Sequence, residues 1–344
     1  MPLEEPSWWY AGADNDARVR ALKPVSRIYA WAALRRLRNA KPCHSRLPVI
    51  CVGNFTAGGT GKTPLSLLIA RLLIERGATP AFLTRGYSGK RTGPLWVDAN
   101  LHTARDVGDE PLLLAEVAPT MLARDRPAGA RAIVDDTRFT HIVMDDGLQN
   151  PTLAKSLTIA VVDGTRGMGN GEVIPAGPLR APLDVQFELA DAIVVNGGGE
   201  DSKVLRELRA VFQGPVLSAA VVPQQHPDAP TLHGAAVVAY AGIGNPARFI
   251  ASLQKAGALV AASRFFKDHH HYSQTDAREL IKLAAANGAR LVTTAKDMVR
   301  LSGNDAALAE LRKHSQPLRI AMQLEDRDLH RLLSLIETAS PTNG

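Results

Sequence analysis

Residues 49–77 constrain this chain more tightly than any other stretch. The apolar run Val49 to Val52 leads into Gly53-Asn54-Phe55-Thr56-Ala57-Gly58-Gly59-Thr60-Gly61-Lys62-Thr63, and helical periodicity then runs from Lys62 to Arg76 and stops at Gly77. A strand, a glycine-rich turn and a helix in immediate succession form a phosphate-binding loop. Glycines at 58, 59 and 61 leave the backbone able to turn its N–H groups inward, and the helix N-terminus adds the positive end of its dipole. Thr56, Ala57, Gly58, Gly59, Thr60, Gly61, Lys62 and Thr63 are therefore the expected nucleotide-phosphate residues, with Lys62 reaching the β and γ phosphates and the Thr63 hydroxyl ligating Mg²⁺. Thr56 stands where the usual pattern has its first glycine.

Such a loop needs a parallel sheet around it, and the flanking sequence supplies one. Continuous apolar runs at Val49 to Val52, Pro80 to Thr84, His141 to Asp145, Thr158 to Asp163 and Ala192 to Asn196 alternate with helical periodicity. Strands covered on both faces read this way, which predicts an α/β fold with a P-loop NTPase-like parallel sheet and helices on both faces. Pro223, Pro227 and Pro230 read as an interdomain connection. Beyond it, expected strands at Ala236 to Ala241, Leu259 to Ala262, Leu291 to Thr294 and Leu318 to Met322, with helices at Ala247 to Ala256 and Gln274 to Ala286, make a second, smaller α/β domain. The expected organisation is a basic N-terminal segment over 1–45, a kinase-like core over 46–222 and the smaller domain over 223–344. A length of 344 residues allows about two such cores. Two cysteines, Cys43 and Cys51, without metal-ligand spacing, point to a reducing, cytoplasmic compartment.

The net charge of +6 is concentrated at one end. Residues 1–50 hold nine basic side chains (Arg18, Arg20, Lys23, Arg27, Arg35, Arg36, Arg38, Lys41, Arg46) against four acidic ones (Glu4, Glu5, Asp14, Asp16), together with Trp8, Trp9 and Trp31. The uncharged run Ile28 to Leu34 there is far below the ~20 residues of a membrane span. It is also bounded by arginines, unlike a signal peptide. On a helical wheel Val25, Ile28, Tyr29, Ala32, Ala33 and Leu37 share one side, with Arg27, Arg35 and Arg38 opposite and Arg36 among the apolar set. Two readings stay open: a helix lying on a membrane surface, or a solvated basic helix packed on its own domain.

Four other stretches carry candidate chemistry. Ile142-Val143-Met144 ends in Asp145-Asp146-Gly147-Leu148-Gln149, and acids at the end of a strand beside a phosphate loop are metal candidates as well as ordinary turn formers. In Gly108-Asp109-Glu110-Pro111, Asp109 is either a helix cap or the base that orients an attacking hydroxyl. His269-His270-His271 follows Asp268, but adjacent histidines on an extended chain alternate faces, which argues against structural zinc; His269 can instead orient or relay a proton. Arg166 to Gly171 and Pro175 to Arg180 form a flexible loop whose arginines suit an anionic substrate.

Together these residues resemble the tetraacyldisaccharide 4'-kinase family, the lipid A 4'-kinases of Gram-negative bacteria. The resemblance runs from Pro24 and Tyr29 through Pro48 to Asn54, the phosphate loop, Thr84-Arg85-Gly86-Tyr87, Gly108-Asp109-Glu110-Pro111, Asp145 to Gln149, Gly169-Asn170-Gly171, Pro175 to Arg180, Ala241-Gly242-Ile243-Gly244-Asn245-Pro246 and Asp268-His269-His270. Asn150, Ala181 and Ala295 depart from its pattern. The resemblance implies transfer of the ATP γ-phosphate to the 4'-hydroxyl of tetraacyldisaccharide 1-phosphate, a step of lipid A assembly. It implies ATP and Mg²⁺ as cofactors, Lys62, Asp109 and His269 in catalysis with Asp109 as base, Thr63, Asp145 and Asp146 at the metal, and Asn170 and Arg180 toward the substrate. It further implies peripheral contact with the cytoplasmic face of the inner membrane, no nucleic acid and no obligate protein partner. Asp109 and His269, 160 positions apart, are expected to meet only when the two domains close. The alternative reading is a nucleotide-gated switch or assembly ATPase.

Overall fold

The structure is a computed structural model that describes residues 5–10, 16–224, 229–302 and 305–340. Glu4, Asp14 and Pro227, used in the sequence reading, lie outside the described residues. A helix α1 (Ala17–Asn39) leads to β1 (Val49–Gly53), α2 (Lys62–Glu75), β2 (Pro80–Thr84) and the two-residue β3 (Leu95–Trp96). Next come α3 (Ala104–Val107), α4 (Asp109–Ala115), β4 (Thr120–Leu122), α5 (Arg126–Val134) and β5 (His141–Asp145). They are followed by β6 (Leu157–Asp163), α6 (Leu183–Glu188), β7 (Ala192–Asn196), α7 (Lys203–Val211) and β8 (Val216–Gln224). The remainder runs β9 (Ala236–Ala241), α8 (Pro246–Lys255), β10 (Leu259–Phe265), α9 (Gln274–Ala286), β11 (Arg290–Thr294), α10 (Ala295–Arg300), α11 (Ala306–His314), β12 (Ser315–Leu324) and α12 (Asp326–Ala339).

The expected parallel sheet is present, and its strands are buried on both faces for the reason their composition suggested. Along β1, Ile50 and Val52 face a core shared with Leu65 and Ile69 of α2, while Val49 and Cys51 face a second core with Ala130 and Ile133 of α5. In β7, Val194 points to the first of these cores and Ile193 and Val195 to a third, against Leu205 and Leu208 of α7. Parallel pairing joins β7 to β6, β6 to β1, β1 to β5, β5 to β2 and β2 to β4. The carboxyl ends of β1 and β5 thus lie side by side, which sets Asp145 at the end of β5 against the loop that follows β1.

The expected single boundary at 222/223 does not describe the path of the chain. The described strands form one sheet in the order β10-β9-β11-β12-β8-β7-β6-β1-β5-β2-β4-β3. β12 makes the join: Ser315 to Leu318 pair parallel with β11, and Arg319 to Leu324 pair antiparallel with β8. The chain then returns, and α12 buries Leu332 and Ile336 in the same core as Leu65, Ile69 and Val194. The end of β8 occupies part of the stretch read as a connection; Pro223 masks it in the sequence, because proline removes a ladder donor.

α1 is longer than its apolar run suggested. It is fixed at Ser26, whose hydroxyl donates to the Val173 carbonyl at 2.7 Å and accepts from Ala176 N at 2.9 Å. Val25, Ile28, Tyr29 and Trp31 are 51%, 68%, 44% and 59% exposed, so the first part of the wheel's apolar stripe is turned away from the protein, while Ala33 and Leu37 are half-buried. Of the three tryptophans in the basic segment, Trp9 is buried and donates its indole N–H to the Pro175 carbonyl.

Candidate active site

The phosphate loop is held from four sides. The Asn54 amide donates to the carbonyls of Thr56 and Gly58, at 2.7 and 3.3 Å, and Asn196 at the end of β7 donates to that of Thr60 at 2.8 Å. Gln149 donates to the Asn54 carbonyl at 2.7 Å, and Arg180 Nε to that of Thr56 at 3.0 Å. Gly61 turns into α2 with φ +107°, where a Cβ would strike the Asn196 amide, so glycine is required there. With its carbonyls tied back in this way, the loop keeps a fixed shape. Among the described residues, the buried Thr60 hydroxyl and Asn54 Oδ1 have no hydrogen-bond partner.

The acids of β5 divide into two roles. Asp145 accepts from the Ser66 hydroxyl at 2.7 Å and from the Thr63 hydroxyl at 3.4 Å. Burial, reinforced by the negative charges of Glu110 and Asp146, pushes its carboxyl up to about 7, against the Ser66 hydrogen bond and Lys62. Burial would raise Asp146 too, but Lys62, Arg180 and Arg126 hold it at about 2, with Lys62 Nζ at 3.6 Å and Arg180 Nη1 at 3.4 Å from Oδ1. A buried carboxylate short of positive charge beside a hydroxyl is the oxygen donor set that a hard divalent cation completes. Among the described residues no group of three or more His, Cys, Asp or Glu could hold an ion. Mg²⁺ suits such a site, because it is usually held by one or two protein oxygens together with phosphates and water.

The structure brings together two residues that the sequence separates by 160 positions. Asp109 begins α4 after Gly108, whose φ of +90° leaves room for the Tyr87 carbonyl where a Cβ would collide. Asp109 Oδ1 accepts from Glu110 N at 3.1 Å, and Oδ2 lies 3.4 Å from Nδ1 of His269. The two side chains are in contact across the two halves of the chain in this structure. His269 sits in a left-handed turn with φ +58°, its ring 5.7 Å from that of Tyr87. Its pKa is raised, chiefly by the hydrogen bond to Asp109, against burial. Burial would raise the Asp109 carboxyl, but His269, Lys296 and Arg300 hold it far below the usual carboxylate range.

The three consecutive histidines go to three places. His270 stacks on Phe266 at 4.5 Å and reaches Asp276 Oδ2 at 3.0 Å, while His271 is exposed. Arg180, expected at the substrate, lies between the Thr56 carbonyl and Asp146, at the phosphate loop itself. The Asn170 side chain is engaged inside its own loop, donating to the Ala176 carbonyl at 2.8 Å and accepting from Glu172 N at 3.1 Å. Arg166 pairs with Glu5 at 2.9 Å, and the Glu5 carboxylate abuts Gly58. The N-terminal segment therefore touches the phosphate loop. Sequence reasoning did not find Ser66, Asn196, Lys296 or Arg300. Of these only Lys296 and Arg300 carried a signal, an i,i+4 pair of cations on one short helix.

The fold and this arrangement define a P-loop phosphotransferase. The family model for tetraacyldisaccharide-1-P 4'-kinase matches residues 18–337. A tetraacyldisaccharide 4'-kinase of Methylorubrum extorquens is 47% identical, over 98% of this chain and 99% of its own length. One of Methylobacterium radiotolerans is 44% identical over 96% and 97%. The crystal structure of LpxK from Aquifex aeolicus in complex with ATP is similar with a TM-score of 0.76 and 25% identity, over 94% of this chain and 99% of that one. The chain belongs to the tetraacyldisaccharide 4'-kinase family. It is an ATP-dependent lipid kinase, and the reading as a nucleotide-gated switch falls away.

Proposed function

We propose that this kinase phosphorylates the 4'-hydroxyl of tetraacyldisaccharide 1-phosphate at the cytoplasmic face of the inner membrane, using the residues assembled above. Thr56 to Thr63 cradle the triphosphate, with Lys62 offsetting the charge that develops on the transferred group. Thr63 and Asp145 would hold Mg²⁺, with Asp146 close by orienting Lys62 and Arg180. The ion, when bound, neutralises phosphate charge.

Asp109 and His269 remove the hydroxyl proton as a pair. With Arg300 and Lys296 holding Asp109 ionised, the proton comes to rest on the imidazole, and the carboxylate orients the ring and balances its charge. The carrying observation is the Asp109–His269 contact in a fold that also holds a complete phosphate loop. The test is phosphorylation of the lipid by ATP in detergent micelles. Lys62→Ala should abolish the bisphosphorylated product while the protein stays folded, and near-normal turnover in that variant would sink the assignment.

The exposed apolar face of α1 supports membrane contact. Val25, Ile28 and Tyr29 lie outward in i, i+3, i+4 order, with Trp31 beside them under the Arg35 guanidinium at 5.5 Å. A helix of this kind lies in the interface plane. Among the described residues no helix is long and apolar enough to cross a membrane.

A further inference from the structure

The short helix α10 lies on α4 and meets its two leading acids with cations one turn apart. Lys296 Nζ is 2.8 Å from Glu110 Oε1, and Arg300 binds Asp109 Oδ2 through Nε at 3.1 Å and through Nη2. Arg300 is buried, and its other side is locked into the second half of the chain. Nη1 donates to Asp297 Oδ1 at 2.8 Å and to the Gly242 carbonyl at 2.5 Å. Asp297 is fixed in turn: Oδ1 also accepts from the Tyr272 hydroxyl and from Gly242 N, each at 2.9 Å, and Oδ2 accepts from the Thr294 hydroxyl. The guanidinium thus joins a rigid buried network at the ends of β9 and β11 to one oxygen of Asp109, the same oxygen that faces His269.

We propose that Arg300 is a positioning residue for the kinase reaction: its planar fork fixes the Asp109 carboxylate against His269, and its charge sets the proton affinity of the pair. The inference rests on the reading of Asp109 and His269 as the proton-accepting pair. A lysine could supply the charge but not the fork, because an ammonium on a flexible stem does not hold two partners in one plane. The other groups around the pair are Lys296 from α10, Glu110 on α4, Asp268 beside His269, and Tyr87, whose ring meets that of His269. Asp297 and Tyr272 stand behind Arg300, and Arg105 and His271 lie on the α3 side. Arg300 and Lys296 are the cations nearest the carboxylate, and Arg300 alone also approaches His269 Nδ1, at 3.4 Å.

The test is kcat against pH for Arg300→Gln and Arg300→Lys, with saturating ATP and lipid in micelles. Losing the cation strengthens the pair's hold on its proton, so Arg300→Gln should move the acid limb upward by about half a pH unit or more. Arg300→Lys keeps the charge and loses the geometry. Its limb should stay in place while kcat falls about 10- to 100-fold and the KM for ATP stays within about twofold. An unshifted limb in folded Arg300→Gln, or wild-type kcat in Arg300→Lys, overturns the proposal. If Arg300→Gln does not fold, the kcat of Arg300→Lys decides alone. His269→Gln separates the two readings: wild-type turnover there removes the pair itself, whereas an inactive His269→Gln with wild-type Arg300→Lys removes only the role of Arg300.

Discussion

Leu332 gives the sharpest test of how the chain is put together. Its position near the C-terminus, beyond every strand of the second half, would assign it to that half, yet its side chain is fully buried in the core of the phosphate-loop sheet. Leu332→Ala removes three carbons, about 2.4 kcal/mol of transfer free energy at roughly 0.8 per methylene. The cavity left behind brings the total to about 2.5–5 kcal/mol. At a urea slope of about 2.5 kcal/mol per molar, the unfolding midpoint should fall by roughly 1–2 M. All four tryptophans, Trp8, Trp9, Trp31 and Trp96, belong to the first half of the chain, so tryptophan fluorescence reads the unfolding of that half specifically. The fluorescence midpoint of Leu332→Ala should therefore move with the circular dichroism midpoint. A wild-type fluorescence midpoint beside a lowered dichroism midpoint would refute the packing of α12 on the first sheet.

Two further outcomes are expected. Replacing Arg35, Arg36 and Arg38 with Gln should weaken binding to anionic vesicles by about 1 kcal/mol per charge near the surface, and wild-type binding should decline with salt; insensitivity to both would return α1 to a purely structural role. Because the folded pKa of His269 is raised, the stability it adds is fully present below its unfolded value near 6.5 and is lost as pH rises through the folded value. His269→Gln should accordingly cost more stability at pH 6 than at pH 9 in thermal melts, and an equal cost at both would contradict the ion pair with Asp109.

The ordering of the chain along its own sequence was legible because it depends on local chemistry. Strands covered on both faces must be apolar at every position, so β2, β5 and β7 could be bounded to the residue from composition alone. The phosphate loop was legible for the same reason: its glycines, Lys62 and Thr63 act within one turn of backbone. Asp109 and His269 could be named as candidates, but no local property chose between a helix cap and a base, and only the tertiary structure brings the two within 3.4 Å of each other.

What only the tertiary structure decided are matters of long-range pairing. β12 serves two sheet registers because parallel pairing with β11 ends at Leu318 and antiparallel pairing with β8 begins at Arg319, and nothing in those residues announces the change. The same holds for Arg300: its i,i+4 spacing from Lys296 marks two cations on one helix face but does not say what they meet. Its role exists only because the return of β12 and α12 packs the second half of the chain onto α4 and sets a buried guanidinium against a buried carboxylate. A sequence specifies which groups are available to pair, and burial determines which pairs matter, since charges taken out of water must meet within the fold.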